Sequence, residues 1–260
     1  MFEALRKLDR FLVTTIVSKH RLFAWRQVPT NPDHALAAFA RVDDYFFGVL
    51  HSRIHEVWAL AQGTQLREKE SGFRYTPTTC FGTFPFPFAD DTAKEDPLQY
   101  AARLRAAHYH LGQDNVVQEE PSPVVPHDCR AVIAAAAREL NEIRENWLNP
   151  AEWTREEIME FPGTVGGPWD RYIDPTTAIS RGGFKVGTVR YPRIVARDAA
   201  CAARLKDRTL TKLYNLRPGW LAACHAKLDA AVAAAYGWPA DLTDEAILDR
   251  LLALNQAATA

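Results

Sequence analysis

His51 and His55 stand four apart, a spacing at which two imidazoles on one helical face can share a metal ion. Such a site needs further ligands, and no Glu, Cys or third His follows at a supporting spacing. His108 and His110 form a weaker pair. Cys80, Cys129, Cys201 and Cys224 are far apart and make no C-x-x-C, so neither a zinc ribbon nor a disulfide framework is expected, and the four thiols are read as reduced. Cys80 or Cys224 with a distant His can be drawn as a nucleophilic pair, but chains of this length carry that combination by chance. Neither G-x-x-x-x-G-K-[ST] nor G-x-G-x-x-G is present, so the usual glycine cradles for nucleotide phosphates are missing. Gly166-Gly167 and Gly182-Gly183 read as turns.

The positive signal is separated charge. A formal net charge of −1 conceals two basic segments. Residues 181–217 carry ten Lys or Arg against Asp198 and Asp207, a balance of +8. The first 26 residues carry six against Glu3 and Asp9, a balance of +4. Basic segments on an otherwise acidic chain suggest a polyanion footprint. In S-K-H-R-L-F-A-W, Lys19 and Arg21 lie beside aromatics that can pack on the opposite face of a strand, leaving the cations for phosphate. A solvated edge strand guarded by charge accounts for the same pattern. Arg204, Arg208 and Lys212, spaced by four, suggest a cationic helix face for nucleic acid, with few acids to compensate them.

These side chains need elements to hold them. With 260 residues, 47% hydrophobic, the chain can bury a core in one large domain or two small ones. Residues 10–28 are rich in β-branched and aromatic types and predict one or two strands, with another over 34–41. Asp43 or Asp44 can cap a helix running to a stop at Gly63. After a polar loop over 64–74, residues 75–88 lean toward strand until Pro85 and Pro87. Further helices are predicted near 98–111, over 128–148, from Pro218 to Gly237, and after Thr243. The fold class is α+β: a small mixed or antiparallel sheet with a packed helix over 1–115, then a mainly helical domain over 116–260 with an irregular basic loop at 160–200. No apolar run approaches the roughly 18 to 20 residues needed to cross a bilayer, so no membrane partner is expected and the protein is read as soluble and cytoplasmic.

The run RVDDYFFGVLHSRIHEVWALAQGTQL (41–66), followed by FRYTPTTCFGTFPFP (73–87), resembles the target-recognition domain of MmeI-like adenine-specific DNA methyltransferases, the type IIG to IIL restriction-modification enzymes. RELNEIRENWLNP (138–150) and residues 208–254, with L-Y-N-x-R-P-x-W-L, resemble the C-terminal helical region of the same enzymes. Members of that family have an S-adenosylmethionine domain upstream, with F-x-G-x-G and [ND]-P-P-[YF] loops. Neither loop is in this chain. Asn149-Pro150 and Asn31-Pro32 lack the second proline and the aromatic that hold an extruded adenine.

The resemblance therefore implies the recognition end of such an enzyme without its chemistry: no catalytic residue and no cofactor in this chain, S-adenosylmethionine in the parent enzyme, and double-stranded DNA and a methyltransferase catalytic domain or subunit as partners. Base readout is expected from Gln65, Arg67, Glu68, Lys69, Glu70 and Arg74, whose donors and acceptors can meet base edges. Phosphate contacts are expected from Lys19, Arg21, Arg26 and Arg53, together with Arg204, Arg208 and Lys212. Two alternatives stand beside this: a module that docks a catalytic subunit without reading DNA, and a hydrolase using a Cys or His.

Overall fold

The computed structural model describes residues 4–5, 7–65, 72–87, 116–117 and 127–257, and the fold is α+β. The chain begins with β1 (Arg10–Thr15), β2 (Val17–Ser18), β3 (Phe23–Gln27) and β4 (Leu36–Phe39). β1 is flanked antiparallel by β3 and β4, and Phe11, Leu12 and Val13 are buried on both of its faces. That is why RFLVTT lacks clean alternation.

The helix expected from Asp43 to Gly63 is two helices, α1 (Asp44–Leu50) and α2 (Arg53–Gln62). The Asp43 carboxylate accepts from the Phe46 amide at 2.7 Å and starts the first. Ser52 makes the break: its hydroxyl donates to the Val49 carbonyl at 2.7 Å and accepts from the His55 amide at 3.4 Å. Apolar residues continue at helical spacing on both sides, so periodicity alone does not reveal the interruption. β5 (Thr64–Gln65) and β6 (Phe73–Arg74) then complete a small sheet of order β2-β6-β5.

The strand expected after Tyr75 does not form; Pro77–Phe81 is a wide helical turn, with the Gly82 amide donating to the Pro77 carbonyl at 2.8 Å. Pro77 has no N–H for a ladder, which favours the turn. The F-P-F-P segment then folds back onto α1, where the Phe46 and Phe86 rings stack at 5.5 Å. β7 (Val116–Val117) pairs parallel with β4, giving the first sheet the order β3-β1-β4-β7. The helix expected near 98–111 lies outside the described residues.

After α3 (His127–Leu148) comes the segment expected to be irregular, and it holds the two longest strands among the described residues. β8 (Thr154–Thr164) and β10 (Phe184–Ala196) pair antiparallel over eleven residues, from Val186↔Thr164 to Ala196↔Thr154, with β9 (Ile179–Arg181) on the other edge of β10. Charged and exposed side chains on both faces, with Pro162, Gly163, Gly187 and Pro192 inside the strands, mask the strand signal. β9 reaches only Phe184–Val186, so Pro192 lies where β10 is itself an edge, and there a missing N–H is tolerated. Four helices follow: α4 (Ala199–Leu205), α5 (Leu210–Leu216), α6 (Gly219–Ala235) and α7 (Asp244–Ala257).

The chain forms two units, Met1–Leu140 with Gly219–Ala260, and Asn141–Pro218. This differs from a simple division near residue 115, because the last two helices return to the first unit. Gly48 allows that return: a Cβ there would stand 2.7 Å from the Ile133 side chain of α3 and 3.2 Å from Leu228 of α6. Arg217, after α5, has φ +41° and ψ 60°, and its amide donates to the Leu213 carbonyl at 2.9 Å. A side chain in this left-handed region is strained, so Arg217→Gly should raise the unfolding free energy by about 0.5 to 1 kcal/mol in urea titrations.

Candidate nucleic-acid interface

In the first unit two of the expected base-reading residues, Gln65 and Arg74, lie on the β2-β6-β5 sheet. Arg74 is exposed on β6, in register with Val17 and Thr64. Gln65 ends β5, and Arg67, Glu68, Lys69 and Glu70 lie outside the described residues. The returning chain passes so close to β2 that a Cβ at Gly72, where φ is +81°, would stand 2.2 Å from the Ser18 carbonyl oxygen. Only glycine fits there.

The phosphate candidates separate sharply. Lys19 and Arg26 are exposed. Arg21 is not available: it is 4% exposed, donates to Thr14 Oγ1 at 2.9 Å and to the Thr15 carbonyl, and lies over the Phe73 and Tyr75 rings at 4.6 and 4.8 Å. Burial lowers its pKa to about 10, so it is still a cation at neutral pH, held by rings and carbonyls rather than by phosphate. Arg53 is also engaged internally. Its guanidinium donates to Asp244 at 2.8 Å and to the Leu242 carbonyl at 2.8 Å, tying α2 to the start of α7.

In the second unit Arg204, Arg208 and Lys212 do not share a helix face, because the chain breaks between α4 and α5, where the Thr209 hydroxyl accepts from the Lys212 amide. Arg208 lies 4.4 Å from the Trp147 ring centre and 4.8 Å from that of Trp153, and donates to the Trp147 carbonyl at 3.3 Å. Arg204 also stands over Trp153, at 5.5 Å, and Lys212 pairs with Asp207. The pairing holds the Asp207 carboxyl below its usual range. The +8 segment is further offset by strand register. β8 brings Glu160 opposite Arg190, where they pair at 3.0 Å, and Glu157 opposite Arg193. Across residues 141–218 there are 13 Lys or Arg and 10 Asp or Glu, a balance of +3.

The ribbon has two unlike faces, because directly opposed residues point the same way. On one, Tyr191 meets Trp169 and Tyr172 at 5.1 Å each, and Phe161 meets Trp169 at 5.0 Å. Gly163 and Gly187, paired across the strands, make room for this cluster: a Cβ on Gly187 would stand 2.6 Å from Ile173. The other face carries exposed Ile158 and Ile194 with the Arg190–Glu160 pair. At its end the chain reverses through Gly182 and Gly183, where Arg181, Phe184 and Lys185 are exposed. Sequence reading counts Arg181 and Lys185 in the basic segment without assigning them a contact, and it passes over Phe184. The Gly-Gly pair between two β-prone runs was the available signal, since two consecutive positive-φ residues make a tight hairpin.

The histidines are committed elsewhere. His51 Nδ1 accepts from the Phe23 amide at 3.1 Å; His55 Nδ1 donates to the Leu50 carbonyl at 2.8 Å, and its Nε2 accepts from Tyr75 at 3.3 Å. Among the described residues no group of three or more His, Cys, Asp or Glu could hold a metal, and no helix is long and apolar enough to cross a membrane.

No family model and no curated protein matches this chain. Among solved structures, the type IIL restriction-modification enzyme MmeI, determined in complex with DNA, is similar over 96% of this chain, with a TM-score of 0.52 and 15% identity. This chain spans 21% of that protein's length. At that identity the likeness is one of fold.

Proposed function

We propose that this chain is the DNA-recognising part of an adenine-specific DNA methyltransferase of the restriction-modification kind, carrying the surface that selects a site and none of the methyl-transfer chemistry. The observation that carries the reading is the extent of the fold likeness: 96% of the chain follows a restriction-modification enzyme solved with DNA bound. The absence of F-x-G-x-G and N-P-P-Y loops supports placing S-adenosylmethionine binding and transfer in a separate catalytic domain or subunit. A base-modifying enzyme extrudes its target from the stack, so a second surface must choose the site through base edges. Gln65, Arg67, Glu68, Lys69, Glu70 and Arg74 are the proposed readers, and Lys19 and Arg26 the phosphate contacts. Arg193 and Lys206 add exposed cations in the second unit.

Selection of bound sequences from random duplexes tests the proposal, together with affinity measured across salt concentrations. One enriched site and a steep salt dependence are expected, with Lys19→Ala and Arg26→Ala each reducing the slope by about 0.9 as one phosphate contact is lost, and Arg74→Ala relaxing the enriched sequence at one position. Arg208→Ala should instead lower stability and leave the slope unchanged, because its guanidinium is held between two tryptophans. Failure to bind duplex DNA at low salt, or micromolar one-to-one binding of S-adenosylmethionine in calorimetry, would overturn the reading.

A further inference from the structure

We infer that the Gly182-Gly183 hairpin tip is a wedge that inserts Phe184 between stacked bases of duplex DNA, with Arg181 and Lys185 meeting the flanking phosphates. The inference rests on the DNA-recognition reading above and goes further, assigning a mode of contact to residues that reading does not use.

The tip is built in sequence from Ile179-Ser180-Arg181-Gly182-Gly183-Phe184-Lys185. Gly182 and Gly183 have φ of +58° and +85°, and Arg181 pairs directly with Phe184 across the strands, so the reversal is a two-residue turn with both central residues left-handed. Such a turn matches strand twist and holds its flanking side chains in fixed positions. A Cβ at either glycine would meet nothing within 4 Å, so packing does not require these glycines; the backbone conformation does. The result is a bare hairpin turn at the end of the β8-β10-β9 sheet, formed by β9 and β10, and a pair of strands fits a DNA groove.

Phe184 has no structural task that accounts for it. It is 66% exposed, and Ile179 beside it is 64% exposed. The other large rings of the ribbon, Phe161, Trp169, Tyr172 and Tyr191, pack on one another, and Phe184 makes no ring contact among the described residues. Residues 179–186 contain two cations and no acid. Among the described residues neither Arg181 nor Lys185 has a carboxylate partner, while Asp170 in the adjoining turn is engaged by the Gly166 amide at 2.7 Å. Phe184 shares its face with Arg181, directly opposite, while Lys185 projects from the other face. An exposed ring at a bare tip thus has an uncompensated cation on each side of the strands and calls for a partner with a flat apolar slot bordered by anions. A base step between phosphates is that partner, and apolar side chains inserted at base steps kink duplexes in this way.

The test uses the full chain with short duplexes carrying 2-aminopurine at successive steps, whose fluorescence rises on unstacking. Phe184→Ala should weaken binding about 5- to 150-fold and abolish the fluorescence rise, with the salt slope unchanged because no charge is lost. Phe184→Trp should retain both. Arg181→Ala and Lys185→Ala should each lower the slope by about 0.9. Because Phe184 is exposed, thermal unfolding of its variants should match that of the parent chain. Salt-dependent DNA binding that is indifferent to Phe184→Ala would overturn the wedge and leave the recognition reading standing, whereas no salt-dependent binding by the parent chain would overturn both. Self-association in sedimentation that Phe184→Ala abolishes, with DNA binding unaltered, would also overturn the wedge and assign the tip to contact between copies of the chain.

Discussion

Phe23→Ala is expected to lower the unfolding free energy by about 3 to 5 kcal/mol, the cost of emptying a large aromatic site in a packed interior. Phe23 is fully buried on β3 and its ring lies between 5.5 and 6.2 Å from those of Phe39, His51, His55 and Tyr75. Its backbone amide also donates to His51 Nδ1, so collapse around the cavity would disturb a buried hydrogen bond. Domains as a rule hold only about 5 to 15 kcal/mol of net stability, so the loss should displace the unfolding of the first unit in a urea titration markedly. Ile179→Ala is the control. That side chain is 64% exposed, and its removal should shift stability by no more than about 0.5 kcal/mol. Equal effects from the two variants would show that the aromatic cluster is not the core of the first unit.

The second large effect is acid lability from His55. Its ring is fully buried, and burial lowers its pKa from 6.5 to about 3, with the nearby Arg21 cation acting in the same direction. The neutral ring is suited to its place, since Nδ1 donates to Leu50 and Nε2 accepts from Tyr75. A proton on Nε2 would remove that acceptor. In the unfolded chain His55 takes up a proton below pH 6.5, whereas the folded chain does not until about pH 3. The unfolded state thus binds more protons in that window, and stability falls as pH falls through it, by roughly a factor of ten in the folding equilibrium per pH unit. Unfolding midpoints should therefore decline between pH 6.5 and 4.5, above the range where exposed carboxylates titrate. His55→Gln should begin from lower stability and show a flatter decline. A wild-type profile that is flat over the window would exclude His55 as its source.

Short local signals proved sufficient for much of the secondary structure. Asp43 caps α1, the Thr243 hydroxyl accepts from the Ala246 amide ahead of α7, and Gly237 with φ +67° ends the stretch that begins after Pro218. Each works because the group that satisfies a helix end lies within a few residues of it. The Ser52 break was less legible, since a serine inside an apolar helical period is compatible with either continuation or a cap. The β8–β10 ribbon was not legible. Its strands are separated by a 19-residue excursion, and each is too exposed to alternate.

The amino-acid sequence by itself determined where cations are concentrated, where helices start and stop, and that the glycine doublets are turns. Only the tertiary structure decided which cations face solvent. Lys19 and Arg21 are two residues apart and would share a face of a continuous strand, yet β2 ends at Ser18 and the chain bends, leaving Lys19 exposed and carrying Arg21 under the Phe73 and Tyr75 rings. In the second unit, antiparallel register sets Glu160 and Glu157 opposite Arg190 and Arg193, while a chain break turns Arg208 between two tryptophans. Charge composition is additive along a chain. The availability of a charge depends on its neighbours in space, and for these residues strand register and chain reversals bring in partners from 30 or more positions away.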